Sequence, residues 1–104
     1  SNRQYDEAEK NYKRAIVLFE KVPDNRPYID ALTDLGRFHL EMGKYQEAEA
    51  NYNKAIALLE TSPENPKLPR ILRQLANLYR QWGKPLQAAQ IEERLKQLSS
   101  KQPQ

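Results

Sequence analysis

The stretch "YDEAEKNYKRAI" runs from Tyr5 to Ile16, and "YQEAEANYNKAI" runs from Tyr45 to Ile56; eight of the twelve positions are identical. The two copies start 40 residues apart. A fixed period of this size marks a stacked-repeat architecture, in which each unit buries its apolar face against the next. The intervening text keeps the same period. "LTDLGRFHLEMGK" begins at Leu32 and "LRQLANLYRQWGK" at Leu72, so Leu35 matches Leu75, Gly36 matches Ala76, His39 matches Tyr79, and Gly43-Lys44 matches Gly83-Lys84. A third copy of the opening phrase would start at Pro85, where "PLQAAQIEERLK" keeps little beyond Ala88. The pattern amounts to about two and a half units, beginning inside one.

Each unit reads as a pair of helices. Tyr45, Ala48, Tyr52, Ala55, Ile56 and Leu59 recur at steps of three and four, the spacing of one helical face. Leu32, Leu35, Gly36, His39 and Met42 do the same upstream. Gly43 and Gly83 are predicted helix stops, because glycine accepts the left-handed conformation at little cost. "VPDNRP" at 22–27 and "TSPENPKLP" at 61–69 break the pattern between pairs. Asp24, Asn25 and Asn65 are candidate N-caps, and Pro69 is expected in the first turn of its helix. The periodicity predicts an all-α chain of five helices over about 3–21, 26–42, 45–61, 68–82 and 85–99. The expected division of this single domain is a lone second helix (3–21), a full unit (26–61), a full or capping unit (68–99) and a frayed tail (100–104). The small residues Gly36, Ala48, Ala55, Ala76 and Ala88 are expected to let paired helices approach, with Tyr45 and Tyr52 between them.

Composition narrows the function classes. Among 104 residues, 30% are charged and 38% hydrophobic, and the apolar runs Ala15–Phe19 and Ala55–Leu59 fall far short of a membrane span, which takes about 20 residues. No signal-peptide pattern opens the chain, and there is no cysteine for a disulfide or thiolate metal site. A cytoplasmic location is the expectation. Seventeen basic against fourteen acidic residues give a net charge of +3, a mixed surface rather than a nucleic-acid-binding tail. Catalytic signals are thin. His39 is the sole histidine and occupies a packed repeat position; Asp30 and Asp34 are one turn apart on a charged helix. The two "GK" pairs are turn residues, with no phosphate-binding glycine loop around them. The "EAE" pairs point different ways on a helix and do not share an ion. No enzyme activity, cofactor or metal is expected.

Leu35-Gly36, Gly43, Tyr45, Ala48, Tyr52 and Ala55 together resemble the tetratricopeptide-repeat pattern. Leu75-Ala76, Tyr79, Gly83 and Ala88 match part of it, and Tyr5, Ala8, Tyr12 and Ala15 match the second helix of an earlier unit. That family's usual period is about 34 residues; the 40-residue period here is similar to its long-repeat, kinesin-light-chain variety. Pro85, Glu92 and Leu95 depart from the pattern, so the last helix looks like a cap closing the stack. The resemblance implies a right-handed α-solenoid of antiparallel helix pairs, a scaffold that binds a peptide or partner domain in a concave groove lined by first helices.

The stripe expected to face that groove is Asp30, Thr33, Arg37 and Leu40 on one helix, with Arg70, Arg73, Asn77, Arg80 and Gln81 on the next. Arginine forks bind carboxylates, so the expected partner is an acidic or C-terminal segment. A competing reading has Asp30 paired with Arg70 or Arg73 across the helices. RNA binding is the rival function, with a pI near 9.2; against it, Tyr5, Tyr12, Tyr45, Tyr52 and Tyr79 fall at repeat core positions. A third expectation is homodimerisation of a fragment of a longer array. The face Ala8, Tyr12, Ala15, Ile16 and Phe19 lacks the helix that its repeat would place there.

Overall fold

A computed structural model describes residues 2–101, and every regular element among them is a helix. The helices are α1 (Asn2–Glu20), α2 (Arg26–Glu41), α3 (Tyr45–Leu59), α4 (Lys67–Gln81) and α5 (Pro85–Lys101). Each boundary lies within two residues of its sequence expectation. At the C-terminus, Ser100 and Lys101 continue α5 instead of starting a tail; residues 102–104 of that expected tail lie outside the described residues. Among the described residues, no helix is long and apolar enough to cross a membrane.

The helix ends follow their local chemistry. Gly43 and Gly83 have φ of +74° and +76°. After α2, Lys44 N–H donates to His39 O at 2.8 Å and Gly43 N–H to Leu40 O at 3.0 Å; after α4, Lys84 N–H reaches Tyr79 O at 2.8 Å and Gly83 N–H reaches Arg80 O at 3.2 Å. These paired bonds form a Schellman motif, which a left-handed residue makes possible and which satisfies the last carbonyls. The N-termini depart partly from expectation. Asn25 caps α2 by position without a side-chain bond, and the cap position of α4 is Pro66 rather than Asn65. The side chains still take the first free donors: Asp24 accepts from Arg26 N–H at 3.0 Å, and Asn65 from Lys67 N–H at 2.9 Å. Short polar side chains favour this two-residue bridge. Pro69 is the third residue of α4, where no intrahelical donor is needed.

The helices pack as α1 on α2, α2 on α3, α3 on α4 and α4 on α5, in a slab of 46 × 37 × 17 Å. The core runs through Ile29, Leu32, Tyr52, Ile56, Leu68, Leu72 and Leu78. Ala48 and Ala55 are 0% exposed, small residues where α2 and α3 close together. Tyr52 lies directly against the Gly36 backbone: a Cβ built on Gly36 would sit 2.8 Å from the Tyr52 ring.

A polar bridge also repeats with the 40-residue period. His39 on α2 is 3% exposed, and its Nε2 bonds Glu9 of α1 at 2.7 Å. Asn51 Nδ2 donates to His39 Nδ1 at 3.0 Å, which leaves the ring proton on Nε2. One unit on, Tyr79 on α4 donates its hydroxyl to Glu49 of α3 at 2.6 Å. In both places a carboxylate on a second helix meets a proton donor on the following first helix. His39 is thus a satisfied interface residue, as its repeat position suggests.

Candidate peptide-binding groove

The first helices α2 and α4 lie side by side across the α2–α3 and α4–α5 pairs, and a groove of about 280 Å³ opens between them. On the α2 side it is lined by Asp30, Thr33, Asp34 and Arg37; on the α4 side by Lys67, Arg70, Ile71 and Gln74. The 100° rotation per residue puts each set on one edge of its helix. Three cations face two carboxylates. Lys67 Nζ bonds Asp30 at 3.0 Å, and Arg37 bonds Asp34 at 3.1 Å on the same helix. Both pairs are largely exposed, so each contributes only about 0–1 kcal/mol. Thr33 donates its hydroxyl to Ile29 O at 2.8 Å and offers no donor outward. Two groups remain uncommitted. Arg70 has no carboxylate within ion-pair distance among the described residues. Gln74 Oε1 is buried and accepts no hydrogen bond.

Four residues of the sequence-derived stripe, Asp30, Thr33, Arg37 and Arg70, meet in this groove. Leu40 is half-buried and packs on the core. Arg73 lies elsewhere, beside Pro69 and the α5 residues Leu95, Lys96 and Leu98. Arg80 is held by Glu92 of α5 at 2.6 Å. Asn77 and Gln81 are exposed on α4 and line neither groove. The 40-residue step accounts for part of this. It maps Asp30 onto Arg70 and Asp34 onto Gln74, and all four line the groove. It also maps Thr33 onto Arg73 and Arg37 onto Asn77, and of these only the α2 members line it. Lys67 and Ile71 complete the α4 side, and sequence reasoning missed both together with Gln74. The partner of Asp30 is Lys67, not Arg70 or Arg73. Had the stripe on α4 been shifted by one turn's edge, the pattern Lys67, Arg70, Gln74 would have been found at steps of three and four.

A tetratricopeptide-repeat family model matches residues 1–61 and again residues 29–99. The chain belongs to the tetratricopeptide-repeat family. No curated protein matches it. Tetratricopeptide repeats generally mediate protein–protein interaction, and the all-helical stack of paired helices is the architecture of that family. Tyr5 departs from its expected core position and is 47% exposed, whereas other aromatic side chains serve the stack. Tyr45 lies against Trp82 with ring centroids 5.7 Å apart, and Lys84 Nζ covers the Trp82 ring at 3.7 Å. Tyr12 meets Phe38 at 5.4 Å across the α1–α2 interface.

Proposed function

We propose that this tetratricopeptide-repeat chain is a non-catalytic scaffold whose α2–α4 groove binds an acidic peptide segment or a C-terminal carboxylate. The observation that carries the reading is the uncommitted pair on α4: the Arg70 guanidinium beside the unsatisfied Gln74 carbonyl. A guanidinium fork binds a carboxylate through two parallel bonds, and a buried amide oxygen gains most from a peptide N–H that satisfies it. Asp30, Thr33, Arg37 and Lys67 shape the rim, while Arg73, Asn77, Arg80 and Gln81 serve a longer ligand running along the outer side of α4. The 40-residue period supports the long-repeat, kinesin-light-chain variety of the family. The aromatic rings packed into the stack favour a peptide over RNA, because single strands bind by stacking bases on free aromatic faces.

The test is fluorescence anisotropy with a panel of acidic peptides, each as free acid and as C-terminal amide, against wild type, Arg70→Ala, Gln74→Ala and Arg73→Ala. Losing a charge-assisted bond costs about 1.5–3 kcal/mol, so Arg70→Ala is expected to weaken binding by about 10–150-fold. Arg73→Ala should leave short-peptide affinity unchanged. Equal affinity for wild type and Arg70→Ala, with the helical circular dichroism intact, overturns the groove reading.

A further inference from the structure

The two edges of the α2–α4 groove differ in charge. Asp30 and Asp34 stand four residues apart on α2, about 6 Å along the helix. Lys67 reaches across from α4 to bond Asp30 at 3.0 Å, and Arg37 bonds Asp34 at 3.1 Å from within α2. Two of the three groove cations are thus answered before any ligand arrives. Among the described residues, Arg70 alone of the three is left over. At the repeat positions of the two acids, α4 carries Arg70 and Gln74, so an acidic edge of one unit opposes a basic and neutral edge of the next. The side chains of Asp30 and Asp34 keep 61% and 47% of their surface and line the space that a ligand would fill.

We propose that Asp30 and Asp34 are selectivity residues, which restrict the ligand in this groove to a segment with one carboxylate, placed on Arg70 and flanked by uncharged or basic residues. The inference rests on the groove reading above and adds to it the number of charges that the groove accepts. From Asp30 to Arg37 the lining of α2 spans seven steps, about 10 Å, which holds about three residues of extended peptide. Every point along that length is within about 5 Å, measured along the axis, of one of the two aspartates. This is inside the screening length of about 8 Å at physiological salt. A first carboxylate has Arg70 to offset the repulsion; a second has no free cation. Lys67 and Arg37 can answer it only by leaving the aspartates, an exchange of one exposed ion pair for another with little net gain. A basic ligand side chain meets the opposite case. Each aspartate is bonded through Oδ1, and Oδ2 is open to a donor from the ligand.

The probes are capped hexapeptides of alanine and serine with one, two or three glutamates at alternate positions, and a fourth with one glutamate and a lysine two residues from it. Each is titrated into the isotope-labelled chain, and the dissociation constant is read from amide chemical shifts. In the wild type, a second or third glutamate should change affinity by less than about threefold, and the lysine should tighten binding about threefold. The double variant Asp30→Asn, Asp34→Asn frees Lys67 and Arg37. It should bind the two-glutamate peptide about tenfold more tightly and lose the gain from lysine; each single substitution should show part of the effect. Both aspartates are exposed, so these variants keep the thermal midpoint. Glu93→Gln changes charge on the exposed side of α5, outside the groove, and should keep the wild-type pattern. The selectivity is overturned if wild-type affinity climbs with each glutamate as steeply as that of the double variant, or if Glu93→Gln acts like it, while Arg70→Ala still weakens binding; the groove reading then stands. Absent binding, or binding that ignores Arg70→Ala, overturns the groove reading and this inference with it.

Discussion

Gly36→Ala sets two effects of opposite sign against each other at one position. Gly36 lies inside α2, where alanine is the better helix former by about 1 kcal/mol. If propensity governs, the substitution stabilises. The added Cβ, however, would lie 2.8 Å from Tyr52 Cε1, 3.0 Å from Cδ1 and 3.3 Å from Cζ. These are atoms of a rigid ring that is 1% exposed, so it has no free volume to swing into. Overpacking of this kind costs about 1–3 kcal/mol, and the expected net change is a loss of about 1 kcal/mol. For a chain of this size that lowers the thermal midpoint by about 4–8 °C. The assay is thermal and urea unfolding, followed by circular dichroism, of wild type, Gly36→Ala, Tyr52→Leu and the double variant. With the ring gone, only the propensity gain remains, so Gly36→Ala should stabilise the Tyr52→Leu background by about 1 kcal/mol. The cycle then shows a coupling of about 2 kcal/mol. The next unit offers the natural counterpart: Ala76 replaces Gly36, and Glu92 replaces Tyr52. A Gly36→Ala variant more stable than wild type in the presence of Tyr52 would refute the reasoning.

Two further outcomes concern pH. Burial pushes the hydroxyls of Tyr52 and Tyr79 up to about 12, and the Glu49 carboxylate reinforces the shift at Tyr79. The fold therefore favours the neutral phenols. That stability is fully present below the ordinary value of 10.0 and is lost as pH rises through about 12. Near-ultraviolet titration should show these two of the six tyrosines ionising late, together with loss of helix; all six ionising together in a folded chain would contradict it. At the acid end, the hydrogen bond from His39 holds the Glu9 carboxyl below its ordinary value, with Lys13 and Lys44 adding to the effect. A depressed carboxyl stabilises above its ordinary range and loses that contribution as pH falls through the folded value. Glu9→Gln should accordingly flatten the acid limb of the stability profile while leaving the alkaline limb in place, as read from urea midpoints across pH.

The repeat, its helix pairs and the glycine stops were legible because each is a local or periodic property. Tyr45, Ala48, Tyr52 and Ala55 share a face through helix geometry alone, and Gly43 ends α2 through its own backbone freedom. The caps were less legible: Asp24 and Asn65 satisfy the first donors from one position outside the cap, a choice between turn geometries that residue type does not fix. The interaction between Asp30 and Lys67 was out of reach, since 37 residues separate the two and Lys67 follows an irregular loop.

By itself, the sequence determined that this chain is an all-helical stack of tetratricopeptide-repeat units, because a face repeated every 40 residues can be buried only by stacking its copies. Only the tertiary structure decided which residues meet across a groove. Translation symmetry tells which positions are alike, whereas the groove joins two such pairs, Asp30 with Arg70 and Asp34 with Gln74, to residues whose repeat counterparts lie outside it, Thr33, Arg37, Lys67 and Ile71. The packing of the helices brings Arg70 and Gln74 into one groove with Asp30 and Arg37 and puts Arg73 and Arg80 beside α5. Which neighbour each side chain reaches depends on how separate helices fill one core, a solution that no single stretch of the chain contains.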